Sequence, residues 1–199
     1  MAGMLIHQDG STHEWVAGQV WDLIVTMDDA TGEHYSMFFV EQEGTVSSFR
    51  GVRETIEGHG LFASLYTDRG SHYWLTPEAG GKVDKTQPTQ FGRAMGQLGI
   101  QMIAAYSPEA RGRSERAFGT HQARLPKELV KAGVTDMVGA NRYLEKHYRR
   151  AHNVARGNHA SNVRNGSPYA QKSEGKPNIV HNFPEIGRAS CRERVSPRV

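Results

Sequence analysis

The chain has 199 residues, 24 Lys and Arg against 21 Asp and Glu, a formal net charge of +3 and one cysteine. That length suits one main domain with a packed core, and the lone Cys191 excludes an internal disulfide and a cysteine-based zinc cage. No apolar run approaches the roughly 20 residues that span a bilayer and no charged-then-apolar leader opens the chain, so a soluble, cytoplasmic protein is expected. The charge is uneven: Tyr148 to Val199 holds ten Lys and Arg against three Glu, whereas Met1 to His147 holds 14 basic and 18 acidic residues. The part able to fold is mildly acidic, so overall basicity is no argument for nucleic-acid binding.

In chain order, Met4 to Asp9 reads as a short strand with Leu5, His7 and Asp9 on one face. Gly10 to Gln19 reads as a connection, and Val20 to Met27 as a second strand. Asp28 to Gly32 suits a hairpin into a third strand, His34 to Val40, with Asp28 and Asp29 doing turn work. Thr45 is a candidate N-cap for a helix carrying Val46, Phe49, Val52 and Ile56 inward. Leu61 to Tyr66 is a short apolar run of the kind found in buried parallel strands, and Asp68 follows its carboxyl end. Ser71 to Pro88 lacks periodicity and reads as a loop or flap. Thr89 to Leu98 predicts a helix closed by Gly99, and Ile100 to Ala105 a fifth strand. Ser107-Pro108 predicts a helix entry, after which Glu115, Phe118, Gln122, Leu125 and Leu129 share one broad face. Pro126 is expected to bend or restart that helix. A last helix runs from Asp136 to about Tyr148.

This order of elements predicts an α/β fold: an antiparallel three-strand meander, a fourth strand returning parallel to the first by a right-handed crossover, and a fifth outside it, giving a mixed sheet of order 3-2-1-4-5 flanked by helices. Adjacent strands lie about 4.8 Å apart, so Asp9 and Asp68 can reach a common ion, with Glu115 looking back from the helix after the fifth strand. Three crowded carboxylates would repel one another, and a divalent cation removes that conflict. Hard oxygen ligands favour magnesium or manganese over zinc. His7 shares the face of Asp9 but reads as a packed supporting residue rather than a ligand. Arg111, Arg113 and Arg116 around Glu115, and Arg69 beside Asp68, are candidates to hold DNA phosphates, against the alternative of a solvated helix face with local salt bridges.

The segments His7-Gln8-Asp9-Gly10-Ser11, Asp28-Asp29-Ala30-Thr31-Gly32, Tyr66-Thr67-Asp68-Arg69-Gly70, and Ser107 through Thr120 with Gly112-Arg113-Ser114-Glu115-Arg116, resemble the integrase catalytic core of ISNCY-type insertion-sequence transposases. These belong to the retroviral-integrase-like DDE recombinases with a ribonuclease-H-like fold. The resemblance covers about residues 4 to 147. It implies that Asp9, Asp68 and Glu115 are the catalytic, metal-binding acids, that two Mg2+ or Mn2+ ions serve DNA cleavage at transposon ends and strand transfer into target DNA, and that a full-length relative acts as a homo-oligomer. The last two acids stand 47 positions apart, a spacing assigned to the Ser71–Pro88 loop. Members usually carry an N-terminal helix-turn-helix region, and this chain opens on its first strand, so the resemblance implies a core without its end-recognition region. Alternatives are a ribonuclease-H-like nuclease, or a catalytically silent remnant that binds DNA or associates with a transposase. The expected organisation is a catalytic core over 1–147 and, over 148–199, a basic tail of low order. That tail is read as disordered, as frameshifted or as artefactual, and the composition shift after Arg149 favours one of the last two.

Overall fold

A computed structural model of the chain describes residues 2–78, 81–106 and 108–157, without the side chains of residues 108–111 and 113. Its sheet is set by one long hairpin. Strand β1 (Leu5–Val16) runs seven residues beyond Asp9 and pairs antiparallel with β2 (Gln19–Asp28). The segment from Gly10, expected to be a connection, is strand because its backbone completes the ladder while its polar side chains find polar neighbours. Thr12 donates to the Asp22 carboxylate, and the Trp15 indole N–H donates to the Trp21 carbonyl at 2.9 Å. Gly18, at φ +74°, makes the tight turn. In the next turn the Asp28 carboxylate accepts from the backbone and hydroxyl of Thr31, both at 2.9 Å, which is the turn role expected of it.

Strand β3 (His34–Val40) pairs with β2, and the chain crosses over through α1 (Thr45–His59) to β4 (Ser64–Thr67), which lies parallel to β1. Helix α2 (Gln90–Leu98) returns it to β5 (Gln101–Ala104), parallel to β4. The sheet order is β3-β2-β1-β4-β5, as the element order predicts. Helix α1 begins after Gly44, whose N–H donates to Ser47 Oγ at 2.9 Å, so Thr45 is not the cap. Val46 is exposed; the buried face runs through Ser47, Ser48, Phe49, Gly51, Val52 and Thr55, whose small members let the helix sit close to the sheet. Thr89 caps α2 by accepting from the Gly92 N–H, and Gly99 closes it at φ +73°.

Two apolar clusters make the layers. On one face Ile6, Phe49, Val52, Leu65, Phe91 and Met95 join the sheet to α1 and α2. On the other, Trp15, Leu23, Met37 and Phe39 meet Phe118, Leu125 and Leu129 of α3 (Pro108–Lys131) and Ala140 of α4 (Met137–Tyr143). Helix α3 is unbroken at Pro126; its missing N–H removes one backbone hydrogen bond, and Leu125 and Leu129 on either side are fully buried. Ser107 lies outside the described residues.

A π-helical turn (Leu144–Tyr148) carries α4 directly into α5 (Arg149–Ala155), so the expected boundary near residue 148 falls within a continuous helical run. Polar side chains hold this run against β3, the outer strand. Phe39 N–H donates to Asn141 Oδ1 at 2.7 Å and Asn141 Nδ2 donates back to the Phe39 carbonyl at 3.1 Å. Asn153 makes the same paired bridge to His34, at 3.0 and 3.1 Å, and the Arg149 guanidinium donates to the Tyr35 carbonyl. The amides stand in for a sixth strand and cover an edge that would otherwise offer free backbone groups. The rest of the expected tail, residues 158–199, lies outside the described residues. Among the described residues no helix is long and apolar enough to cross a membrane.

Candidate active site

The parallel pairing of β1 with β4 fixes how the first two acids relate. Leu5 is opposite Ser64, Ile6 opposite Leu65 and His7 opposite Tyr66, a constant offset of 59. Carried two residues further, the same offset matches Asp9 with Asp68. Period-two alternation keeps Asp9 on the face of His7, whose ring lies beside that of Tyr66, centroids 4.9 Å apart, and Asp68 directly follows the last residue of β4. Each carboxylate is steadied by backbone: Asp9 Oδ1 accepts from the Gly10 N–H at 3.0 Å, and Asp68 Oδ1 from the Gly70 N–H at 2.9 Å. His7 is buried and its Nε2 is 2.9 Å from Asp29 Oδ1, the packed supporting role expected of it.

Helix α3 lies over the same face. Gln122 Nε2 donates to Ser11 Oγ at 2.9 Å, and Leu125 and Leu129 share a cluster with Trp15 and Val16. Helix and strand therefore advance together. Glu115 is seven residues before Gln122, two turns back on the same side and about 10 Å along the axis. Asp9 is two residues before Ser11, about 7 Å along the strand. Glu115 is thus set back toward the level of Asp9. It is exposed, however, whereas Ser114, Ala117 and Phe118 beside it are buried. The expected apolar face includes its neighbours, and the acid stands at its rim. Among the described residues, the trio of possible ligands with atoms within 4.8 Å of one another is His34, His121 and His152, not the three acids.

On the other face of β1, sequence reasoning passed over three residues. Gln8 is fully buried, donating to Thr26 Oγ1 at 3.0 Å and the Ser48 carbonyl at 3.2 Å while accepting from the Tyr73 hydroxyl at 3.1 Å. Glu43 reaches over Gly10, where a Cβ would meet its Oε2 at 2.3 Å, and its Oε1 is 3.4 Å from both the Tyr73 hydroxyl and His72 Nε2. Burial, then the Glu43 carboxylate, and after them Asp68 and Asp9 push the Tyr73 phenol well above its usual range, so it stays protonated and donating. The acid-rich end of the sheet thus acts electrostatically on one buried tyrosine. No spacing in the sequence marks Glu43, Tyr73 or Gln8; the crossing of the β3–α1 loop over β1 brings them together.

Of the arginines, Arg69 is tied to its loop by a 2.9 Å hydrogen bond to the Gly81 carbonyl and lies 5.5 Å from the Tyr106 ring centre. Arg116 is exposed, with its Nε donating to the Gly112 carbonyl at 2.9 Å. The side chains of Arg111 and Arg113 lie outside the described residues. The carboxylates of Asp9, Asp68 and Glu115 would, if drawn to one ion, offer hard oxygen donors of the kind that suits magnesium or manganese.

A five-stranded sheet of this order, with helices on both faces, is the ribonuclease-H-like fold of an integrase catalytic core. The HTLV-2 integrase catalytic core domain in complex with magnesium superposes with a TM-score of 0.54 at 16% identity, over 74% of this chain and 90% of that one. The simian T-cell lymphotropic virus intasome in complex with PP2A regulatory subunit B56 gamma gives 0.56 at 19% identity, over 73% and 49%. No protein-family model matches the chain. In sequence it is 34% identical over 148 residues to a protein of Sinorhizobium fredii named as transposase y4bF. It is 32% identical over 143 residues to the transposase for insertion sequence IS1202 of Streptococcus pneumoniae. Each match covers 72% of this chain, which spans about a third of the relatives, 32% and 31% of their lengths. The chain is thus similar in sequence to about a third of two transposases and shares the fold of integrase catalytic cores.

Proposed function

We propose that this chain is the catalytic core of a DNA transposase, in which Asp9, Asp68 and Glu115 hold divalent cations for cleavage at transposon ends and transfer of a 3′-hydroxyl into target DNA. The observation that carries the reading is the offset shared by the paired residues of β1 and β4 and by the two aspartates just beyond them. Asp9 and Asp68 act as ligands, oriented by the Gly10 and Gly70 amides. The exposed Glu115 supplies the third carboxylate from the helix above. Magnesium or manganese held by these carboxylates would supply activation of the attacking water or hydroxyl and stabilisation of the leaving oxygen in an in-line displacement, two ions being expected. Arg69 and Arg116, with Arg111 and Arg113 on sequence grounds, hold phosphates and position the duplex without reading bases. The full-length protein acts in the cytoplasm as a homo-oligomer on paired DNA ends.

Calorimetric titration with Mg2+ and Mn2+, followed by strand transfer from pre-cut donor ends, tests this. Binding is expected in the wild type and lost in Asp9→Asn and Asp68→Asn, with Glu115→Gln abolishing strand transfer. Unchanged binding in both aspartate variants would refute the site. Cleavage of RNA–DNA hybrids alone would make the chain a ribonuclease-H-like nuclease. Metal binding without any strand cleavage would make it a catalytically silent chain that binds DNA or associates with a transposase.

A further inference from the structure

Three histidines distant in sequence meet at the β3 edge. His34 begins β3, His121 lies in α3 and His152 in α5, and all three are buried, at 1%, 0% and 4% exposure. One ring nitrogen from each lies within 4.8 Å of the others. Ring centroids are 5.0 Å apart for His34 and His121, 4.5 Å for His34 and His152, and 4.8 Å for His121 and His152.

The hydrogen bonds fix the tautomers. His34 Nδ1 is 3.1 Å from the Gly32 carbonyl, which can only accept, so His34 carries its proton there and presents a bare Nε2. His121 Nε2 lies 2.9 Å from that nitrogen and must donate to it, so His121 Nδ1, 3.0 Å from the Tyr148 hydroxyl, accepts the phenolic proton. His152 Nε2 has no hydrogen-bond partner although it is buried. An unsatisfied ring nitrogen in such a place is costly, and about 1–3 kcal/mol is the usual scale.

We propose that His34, His121 and His152 form a second, structural metal site that takes a transition-metal dication of the zinc class and is separate from the acidic site. Three neutral imidazoles suit Zn2+, Co2+ or Ni2+ and not Mg2+ or Ca2+. Binding needs one proton to change place: His121 gives up Nε2–H and takes Nδ1–H, with no net release. His34 and His121 would then both bind through Nε2, each donating Nδ1–H to a supporting oxygen, of Gly32 and Tyr148, as ligand imidazoles commonly do. Metal–nitrogen bonds of about 2.0–2.1 Å at tetrahedral angles set ligand nitrogens about 3.3 Å apart, so the 2.9 Å pair opens by a few tenths of an ångström. Water takes the fourth position. Burial above all, then neighbouring imidazoles and arginines, holds the three rings neutral, so protons do not compete. The opposing feature is charge. Arg156, packed against Gly32, faces all three rings, with Arg124 and Arg149 near some of them. Of these, Arg124 is neutralised by Glu128.

The test uses the untagged full chain, stripped with chelator and titrated with Co2+. A visible ligand-field band of tetrahedral cobalt saturating at one equivalent is expected, with a matching rise in Tm on adding Zn2+. Both signals persist in Asp9→Asn and Asp68→Asn, disappear in His152→Asn, and tighten severalfold in Arg156→Gln. His152→Asn keeps a side chain of similar size, and its circular dichroism reports whether it folds. If the fold is lost there, His34→Gln gives the same reading. Absence of the band in the wild type, its survival in a folded His152→Asn or His34→Gln, or its loss with the aspartate variants overturns the proposal.

Discussion

Gly51→Ala is the sharpest probe of the packing beneath the acids. In an exposed helix interior this change stabilises by about 1 kcal/mol. At Gly51 a Cβ would stand 2.1 Å from Gln8 Nε2 and 2.8 Å from Thr26 Oγ1, far inside contact distance. Gln8 cannot swing away cheaply, because its buried amide is pinned by Thr26, Ser48 and Tyr73. Either α1 lifts by about 1 Å from the sheet, or three hydrogen bonds worth about 1 kcal/mol each are broken with buried polar atoms left behind. Net of the propensity gain, a loss of about 2–4 kcal/mol is expected, which for a chain of this size lowers Tm by about 5–15 °C. Urea unfolding followed by circular dichroism measures it as a lower midpoint at unchanged slope. Gly119→Ala is the control, since that exposed helical position has nothing within 4 Å of an added Cβ and should gain stability. If Gly51→Ala were as stable as the wild type, the close approach of α1 to β1 described above would be wrong.

Asn141→Ala removes both hydrogen bonds to the backbone of buried Phe39. It should cost about 2–3 kcal/mol in urea unfolding, and combined with Asn153→Ala it should raise light scattering as the β3 edge is bared. For the metal-free protein, folded-state pKa values near 3, 2 and 4 for His34, His121 and His152 lie below the ordinary 6.5. The unfolded chain therefore binds protons first. Stability is full above about pH 6.5 and falls as pH drops toward 4, by on the order of 1 kcal/mol per unit per imidazole. His152→Asn should flatten that slope in unfolding curves taken from pH 7 to 4.5.

The sheet was legible because alternation, turn residues and the lengths of the two crossovers leave few topologies. The parallel pairing that sets Asp9 level with Asp68 followed from that topology, although Asp9, expected at a strand end, lies well inside the longer β1. What the pattern hid has specific causes. Gly10 to Glu14 read as connection because polar side chains on a strand resemble those of a loop until the partner, here Asp22 against Thr12, is known. Val46 read as core because helical spacing cannot say which rotation lets a helix come closest, and Gly51 decided that. Arg149 and Asn153 read as the start of a tail because their partners are backbone atoms of β3, which have no signature in side-chain chemistry. The histidines, separated by 87 and 31 positions, carry no local spacing at all.

The tie between β1 and β4 also says where related chains are free to differ. Fifty-nine positions separate the two aspartates, and most belong to turns and a crossover helix, where residues can be added or lost at the glycine corners without disturbing either carboxylate. The two steps between each acid and its last paired neighbour are far less forgiving. A single residue gained or lost there would turn one carboxylate through the sheet, toward the tyrosine side, and leave its counterpart facing an absent mate.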